Sequence, residues 1–188
     1  QVFRYCSSGI SIPLTCLSAN PVVLMVGERE KKIILLVASL ASFLVPYTGS
    51  SITVALPAMA SWFTAAAVTL GWITSAYIVS AALFIVPFGR LADIYGRKKI
   101  FLAGVFIFSV ASLASAMAPS AGILIAARFI QGIGGAMLFA TSVAIVTQVY
   151  GPGERGWALG IVIATVYAGL SIGPFLGGLL TDRFGWPA

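Results

Sequence analysis

The chain has 188 residues, 60% of them hydrophobic and 9% charged, with a formal net charge of +6. A water-soluble domain of this size carries about a quarter charged residues, so a mean hydropathy of +1.05 leaves too little polar surface to face water and places the chain in lipid. Histidine is absent, which excludes histidine-based triads, metal sites and proton relays. Most of the bases sit at the ends of apolar runs, as the positive-inside rule requires, so the charge reads as a topology signal and not as a nucleic-acid surface.

Residues 1–32 form an N-terminal segment, expected on the cytoplasmic side. Residues 10–26 are apolar but short for a span, and Pro13, Asn20 and Pro21 interrupt them. No compact basic region and cleavage site frame them as a signal peptide. Cys6 and Cys16 lie here without metal-ligand spacing, and a disulfide between them does not follow from sequence. Met25 leads through Gly27-Glu28-Arg29-Glu30-Lys31-Lys32 directly into a hydrophobic run. It reads as the true initiator.

A bilayer-spanning helix needs about 20 predominantly apolar residues. Five stretches qualify within a transmembrane domain over 33–188: about 33–57, 68–88, 100–117, 121–146 and 157–180. The expected fold is therefore an all-α, polytopic membrane helix bundle. Turn signals separate the spans at Pro57, at residues 89–99, at Pro119-Ser120 and at Gly151-Pro152-Gly153. Arg29, Lys31 and Lys32 precede the first span, Arg90, Arg97, Lys98 and Lys99 follow the second, and Arg155 follows the fourth. The connections between the first and second and the third and fourth spans are uncharged, leaving Arg183 as the lone base on that side. The basic side is expected to be cytoplasmic. The lipid bilayer is one partner; no nucleic acid, metal or cofactor is expected.

The first span carries the polar cluster Tyr47-Thr48-Gly49-Ser50-Ser51. This cluster, with Thr48 and Ser50 as its site candidates, either lines a substrate path or acts as buried hydrogen-bonding glue. After the second span comes Gly89-Arg90-Leu91-Ala92-Asp93-Ile94-Tyr95-Gly96-Arg97-Lys98-Lys99. A glycine at position 89 admits close approach by another helix. Asp93, the only acid here, can pair with Arg97 or sit at a helix N-terminus. Gly96 permits the turn into the third span.

In the fourth span Arg128 is the only charged residue well inside any apolar stretch. Such a charge costs several kcal/mol and is a functional candidate by default. Arg128, Gly132, Ala136, Ala140 and Ala144 recur every four residues as one small-residue stripe. That stripe points Arg128 into the protein, the alternative being that it snorkels about 10 Å to the outer interface. In the fifth span Gly169, Gly173 and Gly177 share a face for close helix packing, and Pro174 favours a kink.

These segments together resemble the major facilitator superfamily of transporters. Residues 89–99 match its G-x-L-A-D-x-x-G-R-K-x signature between the second and third spans. Arg128, Gln131, Gly132, Gly134 and Ala136 match its R-x-x-Q-G-x-G-x-A pattern in the fourth span. Gly169, Gly173, Pro174, Gly177 and Gly178 match the G-x-x-x-G-P-x-x-G-G pattern of its antiporters. The first span ends on Ala55-Leu56-Pro57 as in the drug:proton antiporters, but Thr48 stands where they carry an acid, and no carboxylate lies inside any span.

The resemblance implies five spans of an N-terminal half, truncated, from a transporter working by alternating access in the plasma membrane. Gly89, Arg90, Asp93, Gly96, Arg97 and Lys98 would form its gating loop, with Asp93 and Arg97 locking the two halves. Arg128 and Gln131, with Thr48 and Ser50, would serve proton coupling or substrate binding. Gly132, Gly169, Gly173, Pro174 and Gly177 would pack and kink helices. The partners implied are a small-molecule substrate, a proton as coupling ion and the remainder of the transporter, with no enzymatic step. Multidrug or metabolite efflux is expected. The absent first-span acid leaves a facilitator or symporter as one alternative, and a truncated, non-transporting membrane protein as another.

Overall fold

The computed structural model describes residues 27–186. The expectations for Met25, for residues 10–26 and for Cys6 and Cys16 lie outside the described residues. Five helices make up the rest: α1 Glu28–Phe63, α2 Ala67–Tyr95, α3 Arg97–Ala116, α4 Ala121–Val149 and α5 Arg155–Phe184. Each is long and apolar enough to cross a membrane.

The helices outrun the apolar stretches that reveal them. The 36 residues of α1 rise about 54 Å, against about 30 Å of hydrocarbon. Pro57 does not end this helix, which continues to Phe63 and stops where Thr64 turns left-handed at φ 46°. Pro46, Pro87 and Pro174 likewise lie inside helices. In lipid the backbone has no water to turn to, so breaking a helix costs more than losing one N–H. Side-chain hydroxyls then attach to the nearby carbonyls. After Pro46, Thr48 Oγ1 lies 3.1 Å from Leu44 O and 3.0 Å from Val45 O, its proton shared between them.

α4 is the keel of the bundle. More than half of its apolar window is buried, 56% against 17–28% in the other four helices. α2 and α3 pack chiefly on α4, whereas α5 packs chiefly on α1. Both pairings depend on missing side chains. A Cβ at Gly134 would lie 2.7 Å from the Phe108 backbone nitrogen, and one at Gly104 would lie 2.9 Å from Met137 Cβ. On α5, Cβ atoms at Gly169 and Gly177 would stand 2.6 Å from Phe43 O and 2.8 Å from Ser51 Cβ of α1. With little hydrophobic drive between helices in lipid, such close van der Waals packing holds the bundle together. Outward faces carry large apolar residues such as Leu40, Ile78, Leu83, Phe106 and Phe175, each exposed. Trp186 meets Trp62 edge-on and Phe63 at a tilt, at the end opposite the basic connections.

Candidate functional site

At the basic end, residues 89–99 are not the extended polar loop their composition suggests. α2 runs on through Gly89, Arg90 and Asp93 to Tyr95, and α3 begins at Arg97. Arginine, leucine and alanine are good helix formers, so the polar residues prolong the helix beyond its apolar part. Only Gly96 breaks it, at φ 97° and ψ 128°, a conformation an L-residue adopts at a cost of about 1–3 kcal/mol.

Across that one-residue break Asp93 Oδ1 accepts from Arg97 Nε at 3.1 Å and Nη2 at 2.9 Å. Arg97 Nη1 donates to the Ala144 carbonyl and, at 3.2 Å, to Gln148 Oε1, both on α4. Arg97 thus ties the α2–α3 corner to the end of α4. Gly89 departs from expectation, because a Cβ there would meet nothing within 4 Å. No helix among the described residues uses the room it leaves. Arg90 and Lys98 are exposed and make no ion pair among the described residues.

The same end holds a second cluster that sequence reading missed. Lys31 Nζ lies 3.0 Å from Glu28 Oε1 and 3.6 Å from Glu154 Oε2. The Tyr150 hydroxyl donates to Lys31 O at 3.1 Å, and Arg155 Nε donates to Tyr150 O at 3.0 Å. The start of α1 is thereby fastened to the α4–α5 connection. Nearby, a hollow of about 790 Å³ between α1, the α2–α3 corner and α4 is walled by Val37, Ala92, Phe101, Ile145 and Arg97 among others.

Nearer the opposite end, α1, α3, α4 and α5 line an open cavity of about 580 Å³, with Thr48, Ser51, Phe108, Arg128 and Gln131 among its walls. Arg128 is 7% exposed and Gln131 1%, so Arg128 lies within the bundle and does not snorkel. Its Nη1 donates to Gln131 Oε1 at 2.8 Å. Its Cζ stands 5.9 Å from the centroid of the Tyr77 ring, a cation–π contact that offsets part of its desolvation. The Tyr77 hydroxyl donates to Val45 O at 2.8 Å, beside Pro46. Arg128 Nε is buried without a partner among the described residues.

The two polar candidates on α1 part company. Thr48 lines the cavity. Ser50 does not: its hydroxyl lies 3.1 Å from Tyr47 O and 3.3 Å from Gly169 O, at the α1–α5 contact. Ser51 does both, lining the cavity while its hydroxyl reaches Tyr47 O at 2.8 Å and Gly173 O at 3.1 Å. A Cβ at Gly173 would fall 1.9 Å from Ser50 Oγ, and one at Gly132 1.8 Å from Ser80 Oγ on α2. Pro174 lies within α5 beside this contact.

Tyr77 and the row Ser109, Ser112 and Ser115 on α3 are cavity or cation neighbours that sequence reading did not single out. A signal for the serines existed, since three hydroxyls spaced by three in an apolar span mark a polar face. Among the described residues no cluster of three or more metal-ligating side chains forms.

Comparison with known proteins places this architecture. Multidrug resistance protein Stp of Mycobacterium tuberculosis (strain CDC 1551 / Oshkosh) is 36% identical over 160 residues, which make up 85% of this chain and 30% of Stp. Riboflavin transporter RibZ of Clostridioides difficile (strain 630) is 31% identical over 85% of this chain and 35% of its own length. Cephamycin export protein CmcT of Amycolatopsis lactamdurans is 38% identical over 81% of this chain and 32% of its own. The chain thus spans about a third of the length of these relatives. A family model described as Major Facilitator Superfamily matches residues 38–188, which contain α2 to α5, most of α1, the Asp93–Arg97 corner and the Arg128 cavity. With five apolar helices and that match over most of its length, the chain belongs to the major facilitator superfamily of membrane transporters.

Proposed function

We propose that the chain is the substrate-handling first part of a secondary transporter that exports a small molecule by alternating access, driven by proton entry. Arg128, held in a cavity of about 580 Å³ at 7% exposure, is the observation that carries this reading. A structural charge would be cheaper at the membrane surface. Similarity to the multidrug resistance protein Stp and the cephamycin export protein CmcT supports export as the direction. Residues 28–32, the α2–α3 corner and the α4–α5 connection face the cytoplasm in this reading, because the bases collect there. Asp93, Gly96 and Arg97 act as the gate on that side: the pair anchored on Ala144 and Gln148 presents a fixed surface, with Gly89 open beside it for a further helix.

The test is flux through the full-length protein in proteoliposomes, with and without an imposed pH gradient. Wild type is expected to accumulate substrate only with the gradient. Arg128→Ala should abolish flux or free it from pH, and unchanged pH-dependent flux would remove Arg128 from the mechanism. Asp93→Asn should slow flux while leaving membrane insertion intact.

A second reading rests on one observation. All five carboxylates of the chain, Glu28, Glu30, Asp93, Glu154 and Asp182, lie at or beyond helix ends. A facilitator or symporter needs no buried acid in this part, and flux insensitive to the pH gradient would favour it.

A further inference from the structure

The cavity between α1, α3, α4 and α5 holds a single charge. Among the described residues Arg128 is the only ionic side chain lining it; the rest are apolar groups, hydroxyls, the Gln131 amide and the Trp186 indole. A guanidinium presents five N–H donors in a rigid planar fork. Here one nitrogen is spent on Gln131, Cζ stands over the Tyr77 ring, and Nε is buried with no partner among the described residues.

That combination discriminates between classes of ligand. A cationic molecule entering the cavity would meet an uncompensated positive charge where the dielectric is low and repulsion strong. A neutral molecule can accept from the free donors but leaves the charge uncompensated. An anion satisfies the donors and neutralises the charge together, and arginine matches a carboxylate through two parallel hydrogen bonds. The volume of about 580 Å³ suits a ligand of small-molecule size, and Met59, Phe108 and Leu113 offer its body an apolar wall.

We propose that Arg128 is the docking point for a carboxylate carried by an otherwise apolar substrate, with the Thr48 and Ser51 hydroxyls lining the same chamber. This rests on the transport reading above and narrows its substrate class.

The experiment uses full-length protein in nanodiscs of uncharged phosphatidylcholine, so that lipid charge does not sort the probes. Three fluorescent probes share one dansyl body: dansylglycine as the carboxylate, its methyl amide as the neutral form, and dansyl-ethylenediamine as the cation. Wild type should bind the carboxylate about tenfold or more tighter than the amide, as a charge-assisted pair predicts, and the amine least. Arg128→Gln should bring carboxylate and amide to equal affinity, while Arg128→Lys should retain part of the difference. Thermal shifts of the wild type with each probe give the same ranking should Arg128→Gln fail to fold.

Tighter binding of the amine, no difference among the probes, or a carboxylate preference that survives in Arg128→Gln overturns the proposal. Proton-driven flux without any anion preference removes this inference and leaves the transport reading standing. Carboxylate-selective binding without flux of any kind does the reverse.

Discussion

A methyl group added at Gly132 would lie 1.8 Å from the Ser80 hydroxyl and 2.4 Å from the Tyr77 carbonyl, whereas one added at Gly89 would meet nothing within 4 Å. The hydroxyl can swing aside, but the carbonyl is part of the α2 backbone and cannot. Gly132→Ala is therefore expected to force α2 and α4 apart, at a cost of about 1–3 kcal/mol typical of overpacking. Gly89→Ala, inside α2 with room for the methyl group, should leave stability unharmed or raise it by up to about 1 kcal/mol. Thermal melting of the two variants in the same detergent checks this, and equal melting temperatures would show that the α2–α4 crossing has slack. The spacing of Arg128, Gly132 and Ala136 already showed that they share a face, because helical periodicity is a local property. Tyr77 was invisible as the partner of Arg128, since which ring meets a buried cation depends on how two helices cross. The same limit separates Ser50 from Ser51. Adjacent residues point about 100° apart, and only the position of α5 decides which of them faces the cavity.

At the scale of elements, Arg97 joins three helices through one side chain. Nε and Nη2 hold Asp93 at the end of α2, while Nη1 reaches Ala144 and Gln148 on α4. Lysine offers a single ammonium at that point and cannot span both groups. Arg97→Lys is thus expected to impair transport by the full-length protein nearly as severely as Arg97→Ala, although charge is conserved. Proteoliposome flux measures it, and near-wild-type flux in Arg97→Lys would mean that charge alone suffices at this corner. Across the α1–α5 contact, the Ser50 and Ser51 bonds are worth about 0.6 kcal/mol each on average in membranes, so close backbone packing at Gly169, Gly173 and Gly177 carries most of that contact. The five apolar helices were legible from sequence because lipid demands long unbroken apolar runs. Their ends were not. Pro57 resembles a terminator by the rules of water, and the polar residues after Phe88 resemble a loop, yet both continue a helix. Outside the hydrocarbon a helix ends for reasons of caps and contacts that composition does not display.

For the whole molecule, the distribution of charge makes a directional statement. Lys31, Arg97, Lys98 and Arg155 gather at one end, and the connections at residues 64–66 and 117–120 carry no charge. With Cys6, Cys16 and any other cysteine of the full-length protein replaced by serine, Lys98→Cys in intact cells should react with an impermeant maleimide only after the membrane is opened. Ser120→Cys should react beforehand. The reverse pattern would invert the orientation proposed for the transporter.

Gly96 has one more consequence. It alone separates α2 from α3, whereas residues 150–154 separate α4 from α5. A joint of one residue stores no spare chain, so the two helices form a bent lever: neither can slide along its axis without dragging the other. The α4–α5 connection is tied at Tyr150 and Glu154 but has chain to yield between them, at the exposed Pro152 and Gly153. An epitope or protease site inserted there should be carried as a harmless bulge, while the same insertion beside Gly96 would uncouple the lever at its fulcrum.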